Sequence, residues 1–232
     1  MKSDCREKEI MSRFFSVENP VMPYFALLRD WIILSALWSV CSLPIITAGT
    51  ATASVYYVTL KMVRQERVSV TKAFFHAFRD NLKQGVALTV LFILCVGVLG
   101  CAFAYATMIS GVVKVALVLC VISFLASVLC LMLYSFPFMA QFSNSVPGIL
   151  KSAAYLAGKN LTNTILMLLL NMIPVWVLLI SFEVFMRLLP IWAFMLPGTA
   201  AYLCSMRLRK IFDPLIAAIR SRDSVEEEKT EV

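Results

Sequence analysis

The chain has 232 residues, 60% of them apolar and 15% charged, with a mean hydropathy of +0.83. Soluble domains run nearer about 45–50% apolar and about 25% charged, so composition excludes a soluble domain, a disordered chain and a disulfide-knitted secreted module. The net charge of +7 sits in residues that flank apolar runs. That pattern points to orientation in a bilayer and attraction to anionic headgroups, not to nucleic acid.

The N-terminal segment, 1–30, mixes both charge signs and does not fit a cleavable signal peptide. Cys41 follows Val40 rather than a small residue, so a lipoprotein cleavage box is not expected. The seven cysteines form no CxxC pair, and all but Cys5 lie in apolar runs. They read as small hydrophobes, with no disulfide framework and no zinc site.

A helix needs about 20 apolar residues to cross a hydrocarbon core of about 30 Å. Uncharged runs occupy 31–60, 84–113, 115–150, 160–182 and 188–206. The second, fourth and fifth each fit one crossing. The first would be about 45 Å long as a single helix, and Pro44 and Gly49 interrupt it. It reads either as a tight hairpin, with 31–46 out and 50–63 back, or as one tilted, kinked helix. In the third run Pro137 is expected to end or kink the helix near Phe136. That leaves 115–136 as a crossing before a loop with Asn144, Pro147 and Gly148.

Positive charge favours the hairpin. With six crossings and both termini inside, all of the 21 Lys and Arg residues except Lys114 and Arg187 lie on the inner side. The five-crossing alternative moves Lys2, Arg6, Lys8, Arg13 and Arg29 outside. The expected fold is therefore an all-α polytopic transmembrane domain over 31–206, with inner loops at about 64–83 and 137–163. A basic segment broken at Asp213-Pro214 and a disordered acidic tail follow over 207–232.

Within the first inner loop, 71–83 has helical period after a possible N-cap, Ser69. Phe74, Ala77, Phe78 and Leu82 share one face; Lys72, His76, Arg79 and Lys83 share the other. This predicts an amphipathic helix lying flat at the interface, with a basic face for lipid headgroups or a protein partner. A faint repeat accompanies it: Lys72, Asn81 and Leu82 recur as Lys151, Asn160 and Leu161, at a constant offset of 79, and Gly-Thr-Ala occurs at 49–51 and 198–200. Small residues spaced by four (Gly49/Ala53, Gly97/Cys101, Gly100/Ala104) suggest close helix packing.

Candidate chemistry is sparse. One histidine, His76, without clustered carboxylates makes neither a metal site nor a triad. No Gly-rich phosphate loop occurs. We expect no catalytic residues, no metal and no cofactor. The intramembrane polar candidates are Asn171, beside Pro174, and the pair Glu183/Arg187 at the outer end of the fifth crossing. Asn171 is expected to bond to backbone freed by Pro174, at the Leu170 carbonyl, or across to another helix.

The order of motifs in the first third carries a resemblance. Phe14-Phe15, Glu18-Asn19-Pro20, Leu37-Trp38, Cys41-Ser42-Leu43-Pro44 and Thr47-Ala48-Gly49 come first. Tyr56-Tyr57-Val58-Thr59-Leu60-Lys61 and Val63-Arg64 then lead to Phe74-Phe75, Phe78 and Asn81. This order resembles the YesL family of bacterial membrane proteins over 14–83; afterwards only the spacing of spans agrees. The acidic residues that often follow the Val-Arg element are reduced here to Glu66. The resemblance implies a helical protein of the cytoplasmic membrane, without established catalytic or ligand residues, in a family of unknown biochemical function. Its gene context implies an association with carbohydrate uptake. The function expected is thus a non-enzymatic accessory factor working with a sugar-transporter complex. The alternative is a permease-like subunit energised by a separate ATPase.

Overall fold

The computed structural model describes residues 22–66, 68–142 and 144–230. The N-terminal basic residues and the first YesL-like motifs lie outside them. The described residues form eight α-helices and one 3-10 turn: α1 (Met22–Cys41), the turn (Ile45–Thr47), α2 (Ala48–Val63), α3 (Val70–Asp80), α4 (Leu82–Met108), α5 (Val112–Gln141), α6 (Val146–Lys159), α7 (Leu161–Ile180) and α8 (Phe182–Thr230). By length and composition, α4, α5 and α7 are apolar and long enough to cross a membrane.

The first apolar run is two helices, not one kinked helix. Pro44 has no N–H to offer, and Thr47 closes the turn by donating its hydroxyl to the carbonyls of Cys41 (2.7 Å) and Pro44 (2.8 Å). Trp38 Nε1 then donates to Thr52 Oγ1 across the two limbs at 3.0 Å. At about 1.5 Å per residue, the 16 residues of α2 reach about 24 Å, so this limb is short for a straight crossing.

Helix α2 is the hub. It packs against α1, α3, α4, α5 and α8, and residues 49–51, 53–56 and 58–60 are buried. Its small residues permit this, because backbones approach closely where side chains are short. A Cβ added at Gly49 would lie 2.1 Å from Thr89 Oγ1 on α4, and one at Gly85 would lie 2.9 Å from the Thr50 Cα. Gly198, in the second Gly-Thr-Ala, makes the same kind of approach to α1, where an added Cβ would meet the Trp31 carbonyl at 2.8 Å. Gly97 and Gly100 have nothing within 4 Å, so their four-residue spacing does not mark a contact.

Several expected breaks are absent. Pro137 lies inside α5, which runs on to Gln141. Its missing N–H leaves the Leu133 carbonyl without the usual donor. Dense packing of 134–140, all buried, holds the helix together across that gap. The inner loop expected over 137–163 therefore shrinks to a short link followed by helix α6. Asp213-Pro214 likewise does not break α8, and the tail expected to be disordered continues that helix to Thr230.

Candidate functional site

A polar cluster lies at the end of the bundle where α2 and α5 finish and α8 leaves its apolar stretch. Helix α2 ends in a Schellman motif: Gln65 N donates to Met62 O (2.9 Å) and Glu66 N to Lys61 O (3.1 Å). Gln65 takes φ 60° where glycine is usual. This turn aims Arg64 inward. Its Nη2 donates to Asp213 Oδ1 at 3.0 Å and its Nη1 to Gln141 Oε1 at 2.9 Å. Arg209 completes the knot, with Nε 3.1 Å from Asp213 Oδ2 and Nη1 3.0 Å from the Val63 carbonyl. Two guanidiniums and one carboxylate thus tie the ends of α2, α5 and α8. Sequence reading did not find this knot, since its members lie up to 149 residues apart.

Beside the knot lies the expected amphipathic helix, α3, which forms an elbow between α2 and α4. Ser69 is the N-cap residue, although its hydroxyl makes no capping bond. Phe74 and Ala77 are buried against the bundle, while Lys72, His76 and Arg79 are exposed. The helix is shorter than expected and stops at Asp80. Asn81 separates α3 from α4, so Lys83 sits on the first turn of α4, and Leu82 is 38% exposed rather than part of the apolar face. His76 has a partner on its own helix: its Nδ1 lies 2.7 Å from Asp80 Oδ2. Lys72, Arg79 and Lys83 carry no ion pair among the described residues.

The faint repeat is a structural one. Helices α2, α3 and α4 correspond to α5, α6 and α7: an inbound helix that leads into the elbow, the elbow itself, and a helix that leaves it just after an asparagine. At the offset of 79, Val70/Ile149, Phe74/Ala153, Ala77/Leu156, Gly85/Thr164 and Leu88/Met167 are all buried pairs. The junction chemistry repeats too. Asn81 Nδ2 donates to the Ala77 carbonyl at 3.0 Å, and Asn160 Nδ2 to the Leu156 carbonyl at 3.2 Å. An asparagine at each junction bonds the carbonyl one turn back while a new helix starts.

The intramembrane candidates separate. Asn171 is half-buried in α7 and donates to the Met167 carbonyl (2.8 Å) and to Cys204 Sγ on α8 (3.7 Å). It therefore bridges helices, and the backbone it bonds is Met167 rather than Leu170. Glu183 and Arg187 do pair, but on the first turns of α8. Helix α7 ends at Ile180, and Ser181 Oγ accepts from the Val184 N–H at the new start. The pair is over 70% exposed on both sides, so it opens α8 instead of closing the fifth crossing. Two further cross-helix bonds were not foreseen: Thr59 Oγ1 to Ser205 Oγ (2.7 Å) and Tyr134 Oη to Thr164 Oγ1 (3.0 Å). Such hydroxyl pairs join apolar helices without any charge to betray them in sequence. No group of three or more metal-ligating side chains occurs among the described residues.

The class these observations define is an all-helical chain with three helices fit to cross a membrane and an ordered basic end. A family model described as "Protein of unknown function, DUF624" matches residues 31–103. This match covers α1 from Trp31, α2, α3 and most of α4, the first repeat unit, and overlaps the segment carrying the YesL-like motifs. No curated protein and no solved structure matches the chain.

Proposed function

We propose that this is a multi-pass, non-enzymatic accessory protein of the bacterial cytoplasmic membrane, with six crossings and both termini in the cytoplasm. Its partner is a sugar-uptake complex, which it meets through the basic face of the first elbow. The observation that carries this reading is the state of Lys72, Arg79 and Lys83. They are exposed, unpaired among the described residues, and held at a fixed junction by the buried Phe74. Cations kept ordered and unneutralised suit an acidic partner surface. The crossing number rests on the α1–α2 hairpin, on the apolar first half of α8 and on the charge distribution.

The test is co-purification from mild detergent with tagged full-length protein from its own host. Subunits of a sugar-uptake system should be recovered, and the triple variant Lys72→Glu, Arg79→Glu, Lys83→Glu should lower that recovery by about tenfold or more, since each inverted contact costs on the order of 1 kcal/mol. Unchanged recovery contradicts the docking role. Sugar flux through proteoliposomes holding this protein alone contradicts the accessory role.

A further inference from the structure

Each elbow is walled by the next inbound helix, α5 for the first and α8 for the second, and each wall encloses a cavity at the same repeat position. Ala77, Asp80 and Asn81 line the first; Leu156, Lys159 and Asn160, their counterparts at the offset of 79, line the second. The chemistry has inverted. The first cavity, about 280 Å³, is polar, with Asp80, Gln84 and Gln141 at its surface. The second, about 380 Å³, places Lys159 and Lys210 above an apolar wall of Leu156, Ile211 and Leu215.

The depth of that second cavity is informative. Lys159 is the last residue of α6, one asparagine before the apolar helix α7. Lys210 lies just beyond 188–206, the apolar run of α8. With the six crossings proposed above, both ammonium groups would stand where hydrocarbon gives way to headgroups, with apolar side chains alongside. Lys159 Nζ lies 5.7 Å from the centroid of the Tyr155 ring, a contact that restrains it. Neither lysine has a carboxylate partner among the described residues.

We infer that this second elbow cavity is a binding site for an anionic phospholipid of the adjoining leaflet. Lys159 and Lys210 take the phosphate, and an acyl chain lies along Leu156, Ile211 and Leu215. A soluble phosphate would use the lysines and leave the apolar wall without purpose; a zwitterionic lipid would waste the double positive charge. The first elbow, with Asp80 where Lys159 stands, is the repeat's internal contrast.

The experiment is native mass spectrometry of the full-length protein in detergent with equimolar phosphatidylglycerol and phosphatidylcholine. One phosphatidylglycerol should be retained in preference by on the order of tenfold. Lys159→Glu/Lys210→Glu should erase the preference, and Lys159→Gln/Lys210→Gln gives the same reading should the first variant misfold. Lys159→Arg/Lys210→Arg should keep it, as should Lys114→Glu/Arg187→Glu, whose change in net charge equals that of the Glu pair. No preference in the wild type, a preference surviving both neutralising variants, or its equal loss in Lys114→Glu/Arg187→Glu would overturn the site. Displacement of the lipid by millimolar inorganic phosphate would overturn the lipid as its ligand.

Discussion

Phe74→Ala should destabilise the protein by about 3–5 kcal/mol, the range for deleting a fully buried aromatic ring. Phe74 has no exposed surface and stands within a cluster, 5.7 Å from the Phe75 ring and 6.1 Å from the Phe78 ring. It is the largest side chain that α3 places in the core, so its loss opens a cavity where the elbow meets the hub helix. The neighbouring ring gives the control, since Phe75 is 43% exposed. Phe75→Ala should cost less than about 1 kcal/mol. Unfolding titrations in mixed micelles measure both. Equal effects at the two positions would show that α3 is not anchored as described.

Gly85→Val should act from the opposite direction, by overfilling. Its Cβ would stand 2.3 Å from Thr50 Oγ1 and 2.9 Å from Thr50 Cα. A hydroxyl rotates away, but a backbone carbon in the middle of the bundle moves only if α4 shifts off α2. Overpacking of this kind costs about 1–3 kcal/mol, and more where the backbone is the obstacle. Gly97→Ala on the same helix meets nothing within 4 Å. It should be neutral or stabilising by up to about 1 kcal/mol, the helix cost of glycine relative to alanine. Opposite signs for two glycines of one helix, read by the same unfolding titration, are the signature of the α2–α4 contact.

Sequence and structure agree best where a local pattern suffices. The helical class, the turn at Pro44–Gly49 and the two-faced elbow all rest on spacings of a few residues. Two prolines mislead. The N–H lost at Pro137 and Pro214 is a local cost, and the surrounding bundle overrides it. The break at Ser181 is hidden for the converse reason: hydropathy runs smoothly through it, so in sequence Glu183 and Arg187 read as part of the helix before their own. Asn81 hid the end of α3 because helical period continues across it, which put Lys83 on the wrong element. The Arg64–Asp213–Arg209 knot and the Thr59–Ser205 bond were illegible, because pairing between distant positions leaves no local trace. The repeat lay between these cases. Three matching residues hinted at it, and the matched buried positions of the two units carry it.

Topology tests the account most directly. In a background with the native cysteines replaced, a single cysteine is introduced at Lys72, Lys114 or Lys151 and intact cells are treated with a membrane-impermeant maleimide. The Lys114 position should be labelled at once, whereas the two elbow positions should react only after the cells are opened, and react alike. Labelling of either elbow in intact cells, with the Lys114 position spared, would contradict both the placement of the basic end in the cytoplasm and the function built on it.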